Sequence, residues 1–173
     1  MSKEALAAAI RTVPDFPKPG INFIDVTPLL NDAARFKETI QLLCEPCRAI
    51  RPDYLAGVES RGFIFAAAMA LELGCGFVPI RKKGKLPYHT LSESYSLEYG
   101  NAEIEVHTDA VPAGSRVIII DDVLATGGTA AAAARLMTKL NAEIAGIHFL
   151  LELSFLHGRE NIRNFPVAAL MTF

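Results

Sequence analysis

The sequence has no uncharged run long enough to cross a bilayer. The longest, Val123 to Ala134, is twelve residues, and a spanning helix needs about 20 apolar residues. Nor is there an excess of either charge. Seventeen basic residues meet nineteen acidic ones for a net charge of −2, so a protein living on non-specific attraction to a phosphate backbone is not expected. That balance excludes a broadly basic surface and leaves room for a local cluster. Cysteine is scarce and odd in number: Cys44, Cys47 and Cys75 argue against a disulfide framework and suit a reducing compartment. Cys44 and Cys47 stand at C-x-x-C spacing, yet no second pair completes a zinc site, and they read as buried thiols in a helical pattern. The opening residues Met1-Ser2-Lys3-Glu4 carry mixed charge and no apolar h-region, so a cytoplasmic protein without a secretory signal is expected. Internal repeats and low-complexity linkers are missing, and the four histidines include no pair at metal-binding spacing.

What is present fits one globular domain. The chain has 173 residues, 51% apolar and 21% charged, enough to bury a core without a disulfide or structural metal. Residues 2–11 predict a short amphipathic helix. Three prolines and a glycine within residues 13–20 forbid regular structure, and residues 21–30 read as an extended or turn-like segment. Asn31-Asp32 can cap a helix over residues 33–50. Short apolar strands are then expected over 54–58, 76–80, 116–120, 144–151 and 167–172, with helices over 62–73 and 129–140. A long polar stretch, 81–94, leads into a hairpin around Gly100-Asn101. This alternation predicts an α/β fold with a mostly parallel central sheet flanked by helices. In such a sheet ligands bind beyond the carboxyl ends of the strands.

Three strand ends carry chemistry. After the β-branched run ending at Ile120 come Asp121-Asp122, then Ala125-Thr126-Gly127-Gly128-Thr129 opening a helix. Glycines let backbone N–H groups approach an anion, and the helix N-terminus adds partial positive charge, so this loop reads as a monophosphate cradle. No Gly-Lys-Ser/Thr follows, so it is not a Walker A loop. Two acceptor-only carboxylates suit sugar hydroxyls or the water shell of Mg²⁺. After Val58, Ser60-Arg61-Gly62 leads into another helix and forms a second anion seat. After Ile80, Arg81, Lys82, Lys83 and Lys85 place four cations in five residues. Alone they would be a solvated turn; beside Arg61 they would enlarge the second anion seat.

A strand running into Asp-Asp and then Thr-Gly-Gly-Thr resembles the phosphoribosyl pyrophosphate signature of the type I phosphoribosyltransferases. The resemblance implies that family's fold, with an N-terminal hood at about 1–32 and a flexible catalytic lid at about 82–104. It implies Ala125 to Thr129 on the 5′-phosphate, Asp121 and Asp122 on the ribose hydroxyls, and Ser60, Arg61, Arg81, Lys82 and Lys85 on pyrophosphate. Arg61 and Lys82 then also act in catalysis. Ser94-Tyr95-Ser96-Leu97-Glu98-Tyr99-Gly100 is similar to the mobile loop of the adenine phosphoribosyltransferases, which makes Glu98 the residue that exchanges a proton with the purine. On spacing alone Glu98 would be an exposed hairpin glutamate. Pro14-Asp15-Phe16-Pro17 through Phe23 resembles the adenine-binding hood, with Asn22 and Phe23 at the base and Leu153 packing the opposite purine face. Ile24 departs from the pattern, where the family commonly carries a polar residue. The resemblance implies transfer from 5-phosphoribosyl 1-pyrophosphate to adenine, giving AMP and pyrophosphate, with Mg²⁺ held by substrate and water, and a homodimer. A 6-oxopurine substrate, or a non-catalytic sensor of the same sugar phosphate, are the alternatives.

Overall fold

The computed structural model describes residues 3–96 and 101–173. Two units divide the chain, Met1–Leu42 and Leu43–Phe173. The first opens with α1 (Lys3–Ala7), and two short strands, β1 (Arg11–Val13) and β2 (Phe23–Asp25), pair antiparallel. The proline-rich link between them folds back on itself: Asp15 accepts the Gly20 N–H at 2.7 Å, and Phe16 packs edge-on against Phe23 at 5.2 Å. The expected helix over residues 2–11 is thus corrected to one turn followed by a strand. Residues 21–30, expected as extended or turn-like, divide into β2 and a single helical turn. Asp25 accepts both the N–H and the hydroxyl of Thr27, which starts the single-turn α2 (Thr27–Leu30).

Helix α3 (Ala33–Ile50) begins as expected, with the Asp32 carboxylate accepting the N–H groups of Ala34 and Arg35 at 3.0 Å. These bonds hold the Asp32 carboxyl below its usual range. The C-x-x-C thiols on this helix are inert. Burial pushes Cys44 up to about 11 and Cys47 up to about 12, far from the thiolate state that reacts or binds metal.

The larger unit is built on a seven-stranded sheet. Its strands are β3 (Tyr54–Val58), β4 (Gly76–Lys82), β5 (Thr90–Ser96), β6 (Asn101–His107), β7 (Arg116–Leu124), β8 (Glu143–Glu152) and β9 (Val167–Thr172). They lie in the order β5-β6-β4-β3-β7-β8-β9. The five apolar strands run parallel, and the β5–β6 hairpin adds antiparallel to β4. Helix α4 (Arg61–Leu73) packs on β3 and β7, while α5 (Gly128–Lys139) packs on β7, β8 and the β5–β6 hairpin. Burying Leu55, Ile118, Ile119, Ile120, Phe65, Met69 and Phe149 almost completely drives this layering. The alanines of α5, Ala130 and Ala132 to Ala134, are buried too and let that helix approach closely. His148 on β8 lies in the same interior with its Nδ1 3.4 Å from the Cys47 thiol, and burial drops its pKa to about 4.

Two boundaries differ from expectation. β7 does not stop at Ile120; it continues to Leu124, paired with β8 as far as Leu124↔Glu152. The polar stretch 81–94 contains the start of β5, whose partner β6 supplies the apolar packing that β5 itself lacks.

Candidate active site

Register sets what meets what at the carboxyl edge of the sheet. Val58 pairs with Ile80, and Gly57 pairs with Ile120. Glu59 and Arg81 therefore arrive side by side, and Asp121 follows Ile120 on the other flank of β3. The three segments singled out in the sequence form one site region.

At the end of β7 the glycine loop turns into α5. Gly127 caps the helix with φ +83°, a backbone conformation that side chains resist. Residues 123–130, with Asp121 and Phe149, line a cleft around it. Two 3₁₀ turns, Ser154–Leu156 and Gly158–Ile162, brace the loop from behind. A Cβ on Gly127 would strike the Gly158 carbonyl oxygen, and one on Gly158 would strike that of Ala125, so the two backbones touch directly. The Asn161 side chain donates to the Thr126 carbonyl at 2.7 Å. Arg159 grips Glu152 through both Nε and Nη2 at 2.7 to 2.9 Å. Sequence reasoning missed Asn161 as a brace of this loop, because its contact with Thr126 crosses 35 positions and carries no local motif.

Asp121 and Asp122 are strand residues, not loop residues. The Asp122 N–H donates to Asp121 Oδ1 at 2.9 Å, and Arg61 Nε lies 2.6 Å from Asp122 Oδ2. Burial, and then the neighbouring carboxylate, push Asp121 well above the usual carboxylate range. Burial raises Asp122 as well, against the lowering effect of Arg61. The start of α4 lies tight against this pair: a Cβ on Gly62 would sit 2.9 Å from both Asp121 Oδ1 and the Ile120 carbonyl oxygen. Ser60 is exposed at the N-cap of α4, after a cis Glu59–Ser60 peptide.

The cation segment divides into two kinds of residue. Arg81 Nε donates to Glu59 at 3.2 Å and its Nη1 to the Lys85 carbonyl at 3.0 Å. Lys83 is paired with Glu103 at 2.8 Å. Lys82 and Lys85 are exposed, and neither ammonium makes an ion pair among the described residues. Asn22 is exposed and Phe23 half-buried in the smaller unit, while Leu153 precedes the first 3₁₀ turn of the larger one. Glu98, the expected proton-exchanging residue, lies outside the described residues. No helix among the described residues is long and apolar enough to cross a membrane, and no group of three metal-ligating side chains forms among them.

A parallel sheet whose carboxyl edge carries a glycine loop opening a helix, a carboxylate pair and a cation turn defines a class. The family model described as Phosphoribosyl transferase domain matches residues 28–167, and the chain belongs to that family. Among its relatives, an adenine phosphoribosyltransferase from Anaeromyxobacter dehalogenans is 52% identical over 170 residues, covering 98% of this chain and 99% of its own. The crystal structure of adenine phosphoribosyltransferase from Thermoanaerobacter pseudethanolicus superposes with a TM-score of 0.97 at 47% identity, covering 99% of this chain and 100% of its own. The Saccharomyces cerevisiae adenine phosphoribosyltransferase, crystallised with D-2,5-dideoxy-2,5-imino-altritol 1,6-bisphosphate and adenine, gives a TM-score of 0.93 at 43% identity, with 97% of each chain covered.

Proposed function

We infer that this chain transfers ribose 5-phosphate from 5-phosphoribosyl 1-pyrophosphate to adenine, forming AMP and pyrophosphate in purine salvage. The observation that carries it is the convergence of three charge-differentiated seats at one sheet edge, in a chain about half identical to adenine phosphoribosyltransferases along nearly its full length. A yeast relative that binds adenine beside an imino-sugar bisphosphate supports the choice of base.

The roles follow from the chemistry of each seat. Residues Ala125 to Thr129 hold the 5′-phosphate on backbone N–H groups, hydroxyls and the N-terminus of α5. Asp121 and Asp122 accept from the ribose hydroxyls. Ser60, Arg61, Lys82 and Lys85, framed by Arg81, face pyrophosphate. Asn22, Phe23 and Leu153 are assigned to adenine. The new bond forms from a purine nitrogen to the anomeric carbon as the carbon–oxygen bond to pyrophosphate breaks, with oxocarbenium character in between. Cations at the pyrophosphate end stabilise the charge that develops there, and Glu98 takes the proton that the purine ring gives up, a role typically worth about 10²–10⁴-fold. Asp121 and Asp122, two acceptor-only carboxylates, would face the water shell of an Mg²⁺ ion held mainly by substrate and water. Such an ion would supply charge neutralisation on the leaving pyrophosphate. Helix α4 exposes Ile64, Ala67 and Leu71 on one face, Leu71 by 86%, an apolar strip that supports assembly as a homodimer in the cytoplasm.

The test offers adenine, hypoxanthine, guanine and orotate singly with 5-phosphoribosyl 1-pyrophosphate and Mg²⁺, and measures pyrophosphate release. Adenine is the expected substrate; turnover with guanine but not adenine overturns the base assignment. Glu98→Gln is expected to lower kcat by at least about tenfold while leaving sugar-phosphate binding intact, and an unchanged kcat removes Glu98 from its role.

A further inference from the structure

Glu105 has no role in the account above, yet it is among the most buried charged groups of the chain at 4% exposure. It stands on β6, opposite Arg81 of β4 and Ser92 of β5. Its carboxylate accepts the N–H groups of Lys85 at 3.1 Å and Leu86 at 3.0 Å, with the Thr90 hydroxyl at 3.5 Å. Burial pushes the carboxyl up, but hydrogen bonds from the main chain of Leu86, Gly84 and Lys85 outweigh it and hold the group below its usual range. It is therefore charged at neutral pH, and its charge is directed at backbone.

The segment so held is the cation turn. Four positive side chains in five residues repel one another, and an exposed turn of that kind has little reason to keep one shape. Gly84, at φ +78°, lets it reverse direction. A second carboxylate completes the frame: Glu59 accepts the Lys82 N–H at 3.0 Å and the Arg81 guanidinium, while Arg81 reaches across to the Lys85 carbonyl. The main chain at 82, 84, 85 and 86 is thus bonded to two acids. The ammonium groups of Lys82 and Lys85 carry no ion pair among the described residues.

We propose that Glu105 is a positioning residue for pyrophosphate: it clamps the backbone of the turn 84–86 so that Lys82 and Lys85 are presented in one fixed geometry to the leaving group. Its carboxylate neutralises turn dipoles rather than lysine charge, so it orders the cations without consuming them. The proposal rests on the pyrophosphate role assigned to this turn. The residue acts through that turn and not on the substrate, so it belongs to binding geometry at one end of the reaction only. AMP, seated on residues 121–129, should not register its loss.

The test is calorimetric binding of inorganic pyrophosphate with Mg²⁺, and separately of AMP, to the wild-type chain and to Glu105→Gln, which keeps shape and one acceptor but loses the charge. Misplacing the lysines is expected to weaken pyrophosphate by about tenfold, with AMP affinity within about twofold. In turnover the same variant should show a raised KM for 5-phosphoribosyl 1-pyrophosphate and an unchanged KM for adenine. Should Glu105→Gln fail to fold, Glu105→Asp keeps the charge one methylene short and is expected to show the same one-sided loss. Unchanged pyrophosphate binding, or an equal weakening of AMP, overturns the proposal, since a merely structural residue moves both ligands or neither. Wild-type chain that fails to bind pyrophosphate overturns it as well. Binding needs no turnover, so a wild-type chain that binds pyrophosphate but does not convert adenine refutes the functional reading and not this one.

Discussion

Asp121 holds its proton more tightly in the folded protein than in the unfolded chain. Burial, and then the Asp122 carboxylate, raise its pKa well above the ordinary carboxylate range, so the folded protein keeps this proton to a higher pH than the unfolded one. Stability is then highest below the unfolded chain's pKa and declines as pH rises toward the raised one. Asp121→Asn removes the penalty. Its melting temperature is expected to exceed that of the wild type at pH 7, with the gap closing as pH falls toward 4; thermal melts across that range check it. The same variant should lose turnover, because an amide also presents donors to hydroxyls that need acceptors. Strain of this kind belongs to sites shaped for a ligand. At this scale the sequence was partly legible. Asp-Asp and Thr-Gly-Gly-Thr declare themselves because glycine and paired acids have few other uses. Glu105 does not: an acid between Ile104 and Val106 in a strand reads as solvent-facing, and only the turn folding over it makes it buried.

Among the elements, the glycine loop after β7 is tightly constrained. Gly127 and Gly158 bring two backbones into direct contact, and Asn161 ties the second to the carbonyl of Thr126. A methyl group at 158 has nowhere to go except against the Ala125 carbonyl and the Leu124 side chain. Gly158→Ala is expected to destabilise the protein by about 1–3 kcal/mol, the usual cost of overpacking. Because the strain falls on residue 125, the KM for 5-phosphoribosyl 1-pyrophosphate should rise with it; chemical denaturation and steady-state kinetics read the two effects separately. On the opposite flank Glu93 of β5 accepts Arg135 Nε at 2.7 Å and Lys139 Nζ at 2.6 Å, which fastens the strand leading to residues 97–100 onto α5. Helices α3, α4 and α5 and the five parallel strands were legible because long apolar periodicity and β-branched runs dominate local choice. The antiparallel pairing of β5 with β6 was expected as a hairpin, but the early start of β5 was not, since Thr90-Leu91-Ser92-Glu93-Ser94 has no strand signal until β6 and α5 pack against it. The continuation of β7 through two acids was hidden for the same reason, with pairing to β8 overriding the charge.

For the molecule as a whole, the sheet order determines where chemistry can occur, and that order is the least legible feature. Alternation of strands and helices announces a parallel sheet, but nothing local says that β7 lies beside β3 or that the β5–β6 hairpin joins the β4 edge. Those neighbours are chosen by burial across the whole core. Their consequence is polarity. The proposed ligand groups of the larger unit lie in the carboxyl-terminal part of a strand or just beyond it. The amino ends of β3, β4 and β7 gather residues 52–54, 74–76 and 112–115 at the other edge. Gly114 stands there at φ +82° with open space around it. A covalent linker inserted after Gly114 would therefore seat the protein on a solid support with its working edge turned outward, and the immobilised material should keep the KM values of the free protein.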